Sequence, residues 1–94
     1  MWSKRKVIEV LDGDTVQFAN GDYGRLAGVR APEKNHKLYS TAKRVLAGMI
    51  SRDNWEVNCK VVGTSYNRLV VELSNFEGSI NQRMKAKGFT HYGN

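Results

Sequence analysis

The chain is poor in cysteine, proline and histidine and has no long apolar run. One cysteine, Cys59, among 94 residues excludes an internal disulfide framework and a thiolate zinc site, and it fits a reducing compartment. Two histidines, His36 and His91, are too few and too far apart in the sequence for a metal site. The start, Met-Trp-Ser-Lys-Arg-Lys, is charged with no apolar run behind it, so neither a secretory leader nor a membrane span is expected. These shortages predict a cytoplasmic protein with no membrane partner. No repeat, low-complexity tract or linker divides the chain, and residues 1–94 make one domain with a modest core.

Acidic residues are scarce as well. Nine Asp and Glu stand against fifteen Lys and Arg, for a formal net charge of +6. A basic domain of this size is drawn to polyanions, of which nucleic acid is the commonest. Charge alone does not separate that reading from a soluble domain that happens to be basic.

What is present is alternation. Lys6 to Leu11 is rich in β-branched residues and predicts a first strand. Asp12-Gly13-Asp14 predicts a turn or bulge, where glycine relieves the backbone. Thr15 to Ala19 alternates again, Asn20-Gly21 signals a hairpin, and Tyr23 to Val29 completes a three-strand meander. The single proline, Pro32, breaks the sheet. After a polar loop from Lys34 to Lys37, Leu38, Ala42, Val45, Leu46, Met49 and Ile50 fall at three- and four-residue spacings, one face of a helix. Trp55, Val57, Cys59 and Val61 alternate as a half-buried strand, Gly63-Thr64-Ser65 predicts a turn, and Arg68 to Leu73 is a fifth apolar run. Ser79 and Gln82 have the spacing of a capping box, and Gly88 stands where a second helix would stop. Five strands with a helix after the third predict a mainly β (α+β) fold, a small Greek-key barrel with about two packed helices.

The chemistry-bearing residues cluster in Leu11–Glu33. Two carboxylates, Asp12 and Asp14, flank a glycine at a strand end, and Arg25 opens a run that ends at Arg30 and Glu33. Guanidinium forks neutralise charge building on phosphoryl oxygens, and a carboxylate orients or deprotonates an attacking water. Taken singly, each residue has an ordinary structural reading: Asp14 closes a turn, Glu33 is a solvated loop residue, and Arg25 and Arg68 are surface residues with packed stems.

The ordered set Val-Leu-Asp-Gly-Asp-Thr-Val, Arg-Leu-Ala-Gly-Val-Arg-Ala-Pro-Glu, Tyr-Asn-Arg and Ile-Asn-x-x-Met-x-x-x-Gly resembles the staphylococcal nuclease-like (thermonuclease) family from about Val7 to Phe89. The resemblance implies a five-stranded OB-type barrel and either a calcium-dependent phosphodiesterase of DNA and RNA or a nucleic-acid-binding domain without catalysis. It implies catalytic roles for Arg25, Glu33 and Arg68, and a metal-ligand role for Asp14. Asp12 and the backbone oxygen of Ala31 are further candidate ligands for a divalent cation, Ca²⁺ or Mg²⁺.

The sequence departs from that pattern at Arg30, where catalytic members usually carry the second metal-binding aspartate. A guanidinium about 5 Å from a divalent ion, at an effective dielectric of about 20, repels it by at most about 7 kcal/mol. Asp12 or Asp22 would then supply a substitute carboxylate for a mostly hydrated Mg²⁺, or Arg30 itself would take the cation's place on the phosphate. Arg30, Lys34, Lys85 and Lys87 are candidate nucleic-acid contacts, and Lys4, Arg5 and Lys6 form a short basic arm. The expected protein is a monomer that hydrolyses nucleic acid with a weakened metal site. The alternative is a non-catalytic domain that binds nucleic acid through the same pocket.

Overall fold

A computed structural model describes residues 1–92. Among the described residues, six strands and two helices follow one another as β1 (Trp2–Asp12), β2 (Thr15–Phe18), β3 (Tyr23–Leu26), α1 (Tyr39–Ser51), β4 (Glu56–Ser65), β5 (Arg68–Asn75), β6 (Gly78–Ser79) and α2 (Ile80–Ala86). The sheet runs β3-β2-β1-β4-β5-β6, and β3 also pairs with β5 in parallel, so the five long strands close into a ring. The fold is therefore mainly β, α+β in class, as the alternation predicts.

The inward positions are the alternating apolar ones. Val7, Val10, Val16, Phe18, Leu26, Val57, Cys59, Val71 and Leu73 are buried inside the ring. Helix α1 covers it with Ala42, Leu46, Met49 and Ile50, a stripe at helical spacing. Helix α2 adds Ile80 and Met84.

Several boundaries depart from the sequence expectation. Strand β1 begins at Trp2, and Lys4, Arg5 and Lys6 are not a free arm, because they pair with Asn58, Val57 and Glu56 of β4. Gly63, Thr64 and Ser65 are not a turn but ladder residues opposite Val70, Leu69 and Arg68. The turn is Tyr66-Asn67, with φ of 51° and 65°, the backbone of a two-residue hairpin whose twist matches its strands. Val61 is exposed, although alternation put it in the core; it still pairs with Val71, and a register shift follows it, between Val61 and Gly63. A bulge of this kind turns the side-chain alternation over by one residue. Strand β3 ends at Leu26 rather than Val29, since Gly28, at φ 74°, turns the chain away.

The helix signals hold better. Ser79 caps α2, its hydroxyl accepting from the Gln82 N–H at 3.1 Å. At the other end Gly88 takes φ 96°, and the N–H groups of Gly88 and Phe89 donate to the Lys85 and Met84 carbonyls at 2.9 and 3.3 Å. That pair of bonds is the Schellman arrangement, which needs a glycine at this φ.

Asn81 joins α2 to the ring closure. It is 4% exposed. Its Nδ2 donates to the Ala27 and Val71 carbonyls at 3.0 and 3.1 Å, and its Oδ1 accepts from the Leu73 N–H at 2.9 Å. One side chain thus ties the end of β3 to the middle of β5. Replacing it by alanine strands buried backbone groups, each costing about 1–3 kcal/mol. Asn81→Ala is expected to lower unfolding free energy by about 3 kcal/mol in urea titrations, whereas a loss below about 1 kcal/mol would show that the closure does not rest on it.

Candidate active site

The turn that carries the two acids is held from three sides. The Asp14 N–H donates to Asp12 Oδ1 at 3.0 Å, folding the turn on itself. The Tyr39 hydroxyl, at the start of α1, donates to the Leu11 carbonyl at 2.7 Å. Gly13 lies against Ala31 and Ala42, where a Cβ would stand 2.5 Å and 2.7 Å from theirs. The sequence suggested that this glycine relieves the backbone angle. Its φ is not positive, and the requirement is space.

Asp14 is the hub of the site. Its Oδ1 accepts from the Thr15 hydroxyl at 2.9 Å, and its Oδ2 accepts from the Ala31 N–H at 3.1 Å. The Arg25 guanidinium stands 3.8 Å from the same Oδ2, an ion pair too long to be a hydrogen bond. The Asp14 carbonyl also accepts from the Leu26 N–H at 2.8 Å. One residue therefore fixes the β1–β2 turn, the end of β3 and the Ala31-Pro32-Glu33 segment relative to one another.

Asp12, Asp14, Arg25, Ala31, Pro32, Glu33 and Arg68 line one open cleft of about 320 Å³. Six of these seven residues are the catalytic and metal-ligand candidates of the sequence, and Pro32 lies between two of them. The ring closure explains the convergence. The parallel β3–β5 pairing sets Arg25 opposite Val70, two residues from Arg68.

The remaining candidates lie elsewhere. Arg30 is exposed; its N–H donates to the Phe89 carbonyl at 2.9 Å, and its side chain is not among those lining the cleft. Lys34 is exposed in the loop before α1. Lys85 lines a groove with Trp2 and Gly28, and Lys87 lines another between α1 and α2. His36 and His91 both pack on Tyr92, ring centroids 5.3 and 4.6 Å away. The structure therefore gathers the carboxylates and two arginines and disperses the lysines.

Sequence reasoning missed the supports. Thr15, Tyr39 and the Ala31 N–H act through single bonds to the acid turn, and neither periodicity nor charge marks them. The small size of Gly13, Ala31 and Ala42 was the one legible sign of a close approach.

Burial, with the neighbouring Asp14 carboxylate adding to it, pushes the Asp12 carboxyl up to about 6. Two oxygen-donor acids two residues apart suit a hard cation that keeps most of its water. They do not make an all-protein cage, because among the described residues no three His, Cys, Asp or Glu are grouped to hold a metal. No helix among the described residues is long and apolar enough to cross a membrane. Compared with known proteins, the chain matches no family model and no curated protein.

The raised Asp12 value has a thermodynamic consequence. A carboxyl that binds its proton more tightly when folded adds stability below its unfolded value of 3.8, and that stability is lost as pH rises through about 6. Asp12→Asn keeps the oxygen that accepts from Asp14 and removes the titration. In chelator, the urea midpoint of the wild type is expected to fall more steeply between about pH 4 and about pH 6 than that of the variant. Parallel pH profiles would place Asp12 in water.

Proposed function

We infer that the chain is a nucleic-acid phosphodiesterase that works with a weakly held divalent cation, on an OB-type barrel of the staphylococcal nuclease-like kind. The observation that carries this reading is the composition of the cleft. Three carboxylates, Asp12, Asp14 and Glu33, share it with two guanidiniums, Arg25 and Arg68. With all of these ionised, one negative charge is left over, which is the wrong sign for holding a phosphate unaided. A dication reverses it. The closed ring of five strands, with a helix after the third, supports the barrel reading.

Asp14, with Asp12 and the backbone oxygen of Ala31, would hold the cation, which when bound polarises the phosphoryl group and offsets its charge. The chain's own residues do the rest. Arg25 and Arg68 reach the cleft from neighbouring strands and donate to the non-bridging oxygens, where charge builds in the transition state. Glu33, on a segment anchored by the Ala31–Asp14 bond, accepts the proton of a water attacking phosphorus in line with the leaving oxygen. The leaving oxygen takes its proton from solvent, since an arginine does not release one at neutral pH.

A rival reading, a domain that binds nucleic acid without cutting it, is favoured by one observation. The position that supplies a second metal-binding carboxylate in the resembled family is Arg30 here. Cleavage decides between the two. Single-stranded DNA and RNA, incubated with the protein and Ca²⁺, Mg²⁺ or Mn²⁺, are expected to be hydrolysed. Glu33→Gln is expected to slow hydrolysis by about 10²- to 10⁴-fold. No hydrolysis with any of these ions, or equal rates for the variant, would overturn the enzymatic reading.

A further inference from the structure

Away from the cleft the molecule carries a second concentration of charge. Ser3, Lys4, Arg5, Lys6 and Asn20, with Phe18 beneath, line a groove of about 380 Å³. Its geometry follows from the way β1 is paired. Trp2 to Lys6 pair with β4 on one side, while pairing with β2 begins only at Val7. The other edge of this basic segment is therefore open, save for the Ala19 N–H donating to the Lys6 carbonyl at 2.9 Å. Arg5 shares its face with buried Val7: it sits over the Phe18 ring at 5.0 Å and pairs with Asp22 at 3.6 Å. Lys4 and Lys6 alternate to the exposed face. Among the described residues neither lysine is in a salt bridge, and Lys6 Nζ reaches only the Asn54 carbonyl, at 3.5 Å.

This groove is separate from the cleft but linked to it through the Arg5–Asp22 pair and an intermediate groove. Asp22, the partner of Arg5, lines an intermediate groove with Tyr23, Asn67 and Arg68, and Arg68 also lines the cleft. Tyr23 is 39% exposed. It shares the outward face of β3 with Arg25, because Gly24 and Leu26 between and beyond them are buried. Two residues along a strand place the ring about 7 Å from the arginine, within reach of the nucleotide next to a phosphate held there.

We propose that a single-stranded polynucleotide runs from the cleft past Tyr23 and that the Ser3–Lys6 groove takes its phosphates, with Lys4 and Lys6 as the contacts. The proposal rests on the reading of the cleft as the place where the strand is held and cut. Each part of the track has a distinct task. Tyr23 offers a face on which a base stacks, and only a base free of its complement lies flat there. Lys4 and Lys6 are mobile point charges that follow a backbone without reading its sequence. Arg5 neutralises Asp22, the one acid among the described residues lining the two grooves beyond the cleft, and so keeps the intermediate groove from repelling the strand.

Salt dependence isolates this groove from the cleft. Binding of a fluorescent ten-nucleotide oligothymidylate is measured by anisotropy across a salt series, in the Glu33→Gln protein so that the strand is not consumed. The slope of log affinity against log salt is expected to become shallower by about 1.4 in Lys4→Gln/Lys6→Gln, about 0.7 for each lost phosphate contact. It is expected to return in Lys4→Arg/Lys6→Arg. A two-nucleotide oligomer, too short to leave the cleft, is expected to bind both proteins alike. An unchanged slope for the ten-nucleotide strand would overturn the proposal, and an equal loss for a duplex of the same length would overturn its single-stranded part. Wild-type cleavage reports separately on the cleft: a changed slope in a protein that cuts nothing overturns catalysis and keeps the track.

Discussion

The parallel pairing of β3 with β5 is the constraint on which the rest of the molecule depends. Without it the sheet is an open ribbon, with Arg25 on one edge strand and Arg68 far from it across the sheet. With it, Gly24, Arg25 and Leu26 lie beside Leu69, Val70 and Val71, and the two guanidiniums share a cleft. Parallel pairing needs a crossover in the chain, and here the connection runs through α1 and β4. The junction is short, so side chains reinforce it. The Ala27 N–H donates to the Val71 carbonyl at 2.8 Å, and Asn81 bonds to both carbonyls and to the Leu73 N–H. A buried polar residue satisfied on all sides specifies one arrangement, because every alternative leaves its partners unpaired.

The cleft inverts the electrostatics of the molecule around it. The chain is basic, with a formal charge of +6, yet its most organised polar site holds an excess of carboxylate. Asp14 is held by Thr15, Ala31 and Arg25, and Asp12 beside it is desolvated enough to retain its proton up to about pH 6. Two acids forced together in this way are costly unless something positive joins them. On the proposed reading, the surrounding basic surface would draw in a polyanion, and the acidic cleft a cation to meet it. Arg30, the residue that set the sequence at odds with a metal site, stays exposed and outside the cleft lining.

Much of this was legible in the sequence, and what was not has physical reasons. Alternation marked the inward faces of β2 and of β4 as far as Cys59, and three-four spacing marked α1, because burial imposes those periods directly. Asp14, Arg25, Glu33 and Arg68 stood out as types that phosphate chemistry uses, and they do line one cleft. The register shift at Val61–Gly63 was hidden, since a bulge changes which face a residue takes without changing its composition. The strand character of Lys4–Lys6 was hidden too, because its pairing with β4 is made some fifty residues away. Tyr66-Asn67 outdid Gly63-Thr64-Ser65 as the turn, although neither residue is a glycine. Asparagine tolerates positive φ, but a tyrosine there gives no warning.

The central claim is that the cleft needs a cation before it holds a phosphate. The most direct measurement is the affinity of a mononucleotide, which has no phosphodiester to cut, with chelator and with saturating Mg²⁺ or Ca²⁺. The excess of carboxylate over guanidinium predicts binding at least about tenfold tighter with the cation, about 1.4 kcal/mol. Equal affinity in chelator would contradict the account, for it would mean that Arg25 and Arg68 hold the phosphate alone and that the carboxylates beside them serve only the fold.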